Sequence, residues 1–101
     1  MQQEKKAIET SAAPGAIGPY SQAIMIDNLV FTSGQLPIDP ATGKITEGSI
    51  ADQTHQALKN LRAVVSGAGG ILDDVVKTTV YLQNISDFQE ATLFIIATGR
   101  F

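Results

Sequence analysis

Residues 14–39 read PGAIGPYSQAIMIDNLVFTSGQLPID, and the reading of the fold turns on them. Pro14, Gly15, Gly18 and Pro19 hold the start of the stretch in turn or extended geometry and exclude a helix there. Two short apolar runs follow, Tyr20–Ile26 and Leu29–Ser33, joined by Asp27-Asn28. Both joining residues tolerate the left-handed backbone of a two-residue hairpin turn, so the pattern predicts a β-hairpin. Alternation puts Leu29, Phe31 and Ser33 on one face of the second strand, with Val30, Thr32 and Gly34 on the other. A polar cluster, Thr32-Ser33-Gly34-Gln35, ends this otherwise apolar strand. It reads either as a plain strand terminus or as a place where backbone and hydroxyl groups meet a ligand.

Upstream, Lys5–Thr10 suits a first strand, and residues 11–18 form a linker of small residues too short to separate domains. Downstream, Pro37, Asp39-Pro40 and Thr42-Gly43 mark a turn-rich loop, with Ile45 in a short edge strand after it. Ile50, Thr54, Ala57, Leu58, Leu61, Val64, Val65 and Ala68 then keep three-and-four spacing, one apolar stripe of an amphipathic helix. Leu61, in the middle of the stripe, is expected to be fully buried. Ser49 with Asp52 three residues on reads as a capping box, and Gly67, Gly69 and Gly70 as the stop. Asp52, His55, Gln56, Lys59 and Arg62 occupy the opposite, solvated face. Val75–Leu82 alternates like a buried strand. Ser86 and Gln89 are candidate caps of a second helix, and the state of residues 91–98 stays open. Strands with a helix packed on one face of the sheet make the fold class α+β.

At 101 residues the chain makes one domain, residues 1–101, with a single core. Charged residues are 17% of it and hydrophobic ones 44%, the balance of an ordinary globular domain. A net charge of −3 argues against a nucleic-acid partner, which calls for a basic face. The absence of cysteine removes disulfides, thiolate nucleophiles and thiolate metal sites. The polar, acidic start MQQEKKAIET is unlike a signal or transit peptide. The apolar run Leu93–Ala97 falls far short of the ~20 residues that span a bilayer. No membrane association is therefore expected. A cytoplasmic location is the default, with a mitochondrial one the alternative.

His55, the sole histidine, lies on the polar helix face with no carboxylate cluster at ligand spacing, so no metal is expected. A Ser-His-Asp triad through Ser33 lacks the nucleophile-elbow pattern. Gly67-Ala68-Gly69-Gly70 follows a helix instead of opening one and lacks the Lys-Ser/Thr pair, so it is a helix stop and not a phosphate loop. Tyr20 and Ser33 are better candidates. Tyr20 reads equally well as core packing with a tied hydroxyl or as a ligand contact.

GPYSQA (18–23), LVFTSGQLPIDPATGKI (29–45), the helix around 53–67 and LDDVVKTTVYLQNISDF (72–88) together resemble the RidA (YjgF) family of small imine deaminases. The likeness covers about residues 5–90. It implies a chorismate mutase-like α+β fold, a barrel-like homotrimer and a site in each cleft between subunits. It implies no organic cofactor and no metal. The expected reaction is hydrolysis of reactive 2-imino or enamino acids, such as 2-iminobutanoate and 2-iminopropanoate, to 2-oxo acids and ammonia, a form of metabolite damage control. By the resemblance, Tyr20, Ser33 and Gly34 are the catalytic candidates. Together with Gln35 they are the substrate-binding candidates.

Such chemistry needs a clamp on the substrate carboxylate, and a guanidinium suits it because it binds bidentately. The family supplies that arginine, and a water-positioning glutamate, from closing strands that have no counterpart in residues 91–101. Arg62 and Arg100, the two arginines here, lie outside the family's Pro-Ala-Arg-Ser context. Thr92 and Ile95 stand where the family's second helix usually has Asn and Tyr. The 101-residue chain is accordingly expected to hydrolyse imines weakly or not at all. A non-catalytic trimeric module binding small carboxylate metabolites is the alternative reading. An RNA-cleaving translation inhibitor, another activity ascribed to the family, fits poorly with the acidic charge.

Overall fold

The computed structural model describes residues 4–91. Its centre is a three-stranded antiparallel sheet of β1 (Lys5–Ile8), β2 (Ala23–Ile26) and β3 (Leu29–Thr32), in the order β1-β2-β3. The hairpin forms as the sequence predicts: Ile26 pairs with Leu29, and Asp27 takes the left-handed backbone at φ 52°. Both strands are shorter at their outer ends than the apolar runs suggest. A second ladder pairs β4 (Ile38–Asp39) with β5 (Lys44–Ile45), closed by Asp39-Pro40-Ala41-Thr42-Gly43.

Helix α1 runs from Ile50 to Gly67. Ser49 accepts the Asp52 N–H at 3.2 Å, and the Asp52 carboxylate accepts the Ser49 N–H at 3.0 Å, so the capping box is formed. At the other end Gly70 N–H reaches the Val65 carbonyl and Gly69 N–H the Ser66 carbonyl, each at 2.9 Å, the paired bonds of a Schellman stop. Of the three glycines expected to be left-handed, Gly69 alone has positive φ, at 90°. One left-handed residue is enough to reverse the chain.

The β1–β2 register pairs Ile8 with Ala23 and Lys6 with Met25, which puts Ile8, Ala23 and Met25 on one face of the sheet. Val64, Ala63 and Ala68 of α1 pack there, with Ala13 from the linker. Leu61 is half-buried, contrary to the expectation from the stripe, and Asn60 beside it is completely buried. The stripe does face the core, with Val64 and Val65 buried, but its buried centre takes in Asn60 in place of Leu61. The reason is polar: Asn60 Nδ2 donates to the carbonyls of Leu36 (3.0 Å) and Ile38 (2.8 Å), and its Oδ1 accepts from Gln56 Nε2 (2.9 Å). Gln56 is accordingly half-buried and not part of a fully solvated face.

Residues 75–82 have no regular secondary structure and join no ladder among the described residues, which corrects the reading of a buried strand. Val76 is 96% exposed and Tyr81 90%. An alternating pattern makes a strand only where a neighbour takes its N–H and C=O groups. The opposite face of the β2–β3 hairpin, with Leu29 and Phe31, is also uncovered. Ser86 lies inside a 3-10 turn, Ile85–Asp87, whose cap is Asn84, and not at a helix cap. Residues 88–91 continue in helical geometry. Residues 92–98, left open above, and Arg100 lie outside the described residues. Among the described residues no helix is long and apolar enough to cross a membrane.

Candidate functional site

The polar end of β3 and the approach to β2 are one structure. Ser33 N–H donates to the Gln22 carbonyl at 2.9 Å, which carries the β2–β3 ladder one step past its regular end. The Ser33 hydroxyl then donates to the Ser21 carbonyl at 2.6 Å. Beyond these two bonds no ladder continues, and residues 20–22 and 33–35 are irregular. With its proton committed to Ser21, Ser33 Oγ presents lone pairs, so toward a ligand it is an acceptor. Gln35 Nε2 lies 3.3 Å from the Ser33 carbonyl, and a Cβ added at Gly34 would meet nothing within 4 Å. The backbone at 34 is open to close approach.

Tyr20 reaches this end through a tight turn. Gly18 has φ 121°, a conformation that L side chains rarely adopt, and Tyr20 N–H closes the turn on the Gly18 carbonyl at 2.9 Å. The ring is 53% exposed, so the core-packing reading of Tyr20 fails within this chain. Its hydroxyl accepts from Ile17 N–H at 3.4 Å, a long bond that leaves the oxygen accessible.

An open cleft of about 450 Å³ lies beside it, lined by Glu9, Thr10, Ser11, Gly15, Ala16, Tyr20, Ser21 and Gln22. Tyr20 is thus in the cleft; Ser33 does not line it but is bonded to Ser21 and Gln22, which do, and Gly34 and Gln35 are not among its lining residues. Among the described residues no Lys or Arg lines this cleft. Arg62 lines a separate groove with Ser66, Gly70, Ile71 and Leu72 at the far end of α1. His55 stands on the exposed helix face, and among the described residues no three metal-ligating side chains cluster.

Sequence reasoning overlooked two carboxamides that hold these parts together. One is Asn60. The other is Gln22, 4% exposed, whose Nε2 donates to the carbonyls of Pro14 (2.8 Å), Thr10 (3.0 Å) and Ala13 (3.4 Å), while Oε1 accepts from Thr10 N–H (2.7 Å). A signal was present. Residues 10–18 form a loop without a ladder partner, and its carbonyls need donors if any of them are buried.

A family model described as Endoribonuclease L-PSP matches residues 10–95. A RutC family protein of Pyrococcus horikoshii is 54% identical over 84 residues, which are 83% of this chain and 67% of that protein. The human 2-iminobutanoate/2-iminopropanoate deaminase is 46% identical over 84 residues, 83% of this chain and 61% of its own length. The chain thus spans about two-thirds or less of the curated relatives it matches. Among solved structures, a Rid family protein of Yersinia pestis superposes with a TM-score of 0.91 at 42% identity, covering 97% of this chain and 80% of that one. E. coli TdcF with bound serine gives a TM-score of 0.86 at 41% identity, covering 91% and 72%. With a family model matching residues 10–95 and a relative 54% identical over 83% of the chain, the chain belongs to the L-PSP (RidA/YjgF) family.

Proposed function

We propose that this chain provides the substrate-binding wall of a hydrolytic deaminase acting on small 2-imino acids. The observation that supports the reading is the pair of hydrogen bonds from Ser33 to residues 21 and 22, which ties the end of β3 to the segment that follows Tyr20. Tyr20 offers an accessible hydroxyl, Ser33 an acceptor and Gly34 an unobstructed backbone. Together they suit a small polar molecule whose imine carbon becomes tetrahedral on attack by water. The deaminase name of the human relative and the serine held by E. coli TdcF support an amino-acid-sized ligand.

A homotrimer completes the reading. Leu29 and Phe31 on one sheet face, with Val76 and Tyr81 beyond, form apolar surface that other copies would cover. The second reading, binding without turnover, is favoured by one observation: the Tyr20 cleft is lined by Glu9 and by no cation. A substrate carboxylate has no clamp there, and the cation must come from elsewhere for turnover.

Titration with 2-oxobutanoate, followed by backbone amide shifts, tests the wall itself. Shifts confined to residues 15–22 and 33–35 are expected. Shifts at the Arg62 groove, or none at all, would contradict the assignment.

A further inference from the structure

We infer that Gln22 is a positioning residue for this site, the latch that fixes the Thr10–Gly18 loop and, through it, Tyr20. The inference rests on the proposed role of Tyr20 as a ligand contact. Its basis is the economy of one buried side chain. A primary amide has two donor hydrogens and one carbonyl oxygen. Gln22 uses both ends on a single loop: Oε1 takes Thr10 N–H, and Nε2 serves the carbonyls of Thr10 and Pro14, with that of Ala13 at longer range. Three carbonyls and one N–H around one carboxamide also fix its orientation, since the flipped amide would set oxygen against oxygen.

The loop has few other ties. Ala13 is buried against Ile8, Ala23 and Val64, and Ala12 N–H donates to the Thr10 hydroxyl at 3.2 Å. From Gly15 to Tyr20 every residue is exposed, and the bonds there are the turn at Gly18 and the long Ile17–Tyr20 contact. The loop is held at its Thr10–Pro14 end, and the Gly15–Tyr20 segment hangs from that anchor.

Gln22 also stands at the junction of both halves of the site. Its own carbonyl accepts Ser33 N–H, so the residue whose side chain holds the loop also carries the ladder to Ser33. Thr10, Ser11, Gly15 and Ala16, all near the latch, line the cleft with Tyr20. Releasing the carboxamide frees one wall of the cleft and leaves the sheet, the helix and the Ser33 bonds in place.

Two variants test this, Gln22→Met and Gln22→Glu. Methionine fills the space with no donor or acceptor, and glutamate keeps the acceptor toward Thr10 N–H but loses both donors. Amide hydrogen exchange is read at residues 10–18 and, as an internal control, at 57–65 of α1. In both variants exchange at 10–18 should quicken about tenfold or more while α1 keeps its protection. Affinity for 2-oxobutanoate should fall together with that protection, because a loosened wall must be ordered on binding. Parallel acceleration in loop and helix means general destabilisation and overturns the inference. Unchanged loop exchange in Gln22→Glu overturns it too, since the donors would then be dispensable. Failure of the wild-type chain to bind 2-oxobutanoate counts against the deaminase reading alone, and the contrast between loop and helix still decides whether Gln22 is the latch.

Discussion

Asn60 on α1 donates a 2.8 Å hydrogen bond to the carbonyl of Ile38 on β4, across 22 residues of sequence. A second bond from the same amide holds Leu36, the residue after Gln35. One buried side chain thus decides both how α1 lies on the sheet and where the chain goes after the polar cluster at 32–35. Asn60→Ala leaves the carbonyls of Leu36 and Ile38 without their donor. The expected cost is about 1–3 kcal/mol or more in denaturant melts, from unpaired buried acceptors. A loss within experimental error would mean that water replaces the amide.

The burial along α1 predicts an order of effects. Val64 is fully buried and Leu61 only half-buried, so Val64→Ala should destabilise by about 1.5–3 kcal/mol. Leu61→Ala removes the larger side chain yet should cost less in a monomeric chain. The reverse order would put Leu61, and not Val64, at the centre of the buried face.

Ser49→Ala breaks the capping box. A loss of about 0.5–2 kcal/mol is expected, with fraying of the first turn of α1 visible as faster amide exchange at residues 51–53. Ser49→Asp, which keeps an acceptor for the Asp52 N–H but adds a like charge beside Asp52, should fall between the two.

The limits of the sequence reading follow from the same residues. The hairpin was legible because Asp27-Asn28 encodes its own turn, and α1 because stripe, cap and glycine stop agree. These are local signals. Asn60 was not legible as a core residue, since its partners are backbone carbonyls 22 and 24 residues away, which no spacing rule reports. Gln22 was hidden in the same way, inside a motif whose tyrosine drew attention first. Val75–Leu82 illustrates the converse: alternation records a tendency to pair, and pairing needs a second chain segment. Tyr20 and Ser33 were nominated by resemblance; the structure links Ser33, through its hydroxyl and its N–H, to Ser21 and Gln22, the two residues that follow Tyr20.

Assembly is the next expectation. Val76 and Tyr81 are almost wholly exposed, and Leu29 and Phe31 are uncovered on the hairpin. Sedimentation at micromolar concentration should report a trimer, and Phe31→Lys should shift it toward monomer. A stable wild-type monomer would contradict the proposed association.

The central claim is that Tyr20, with Ser33 to Gln35, forms one wall of an imino-acid site whose cation comes from outside the described residues. Ammonia release from 2-iminopropanoate generated in situ tests it most directly. The comparison is the 101-residue chain against the same chain extended with the C-terminal segment of the human relative, each with and without Tyr20→Phe. With no Lys or Arg of the described residues lining the cleft, the 101-residue chain should be slower by about a hundredfold or more, since misplacement by ~1 Å already costs that much. Extension should restore turnover, and Tyr20→Phe should lower it again. Equal turnover in the two chains, unaffected by Tyr20→Phe, would contradict the account.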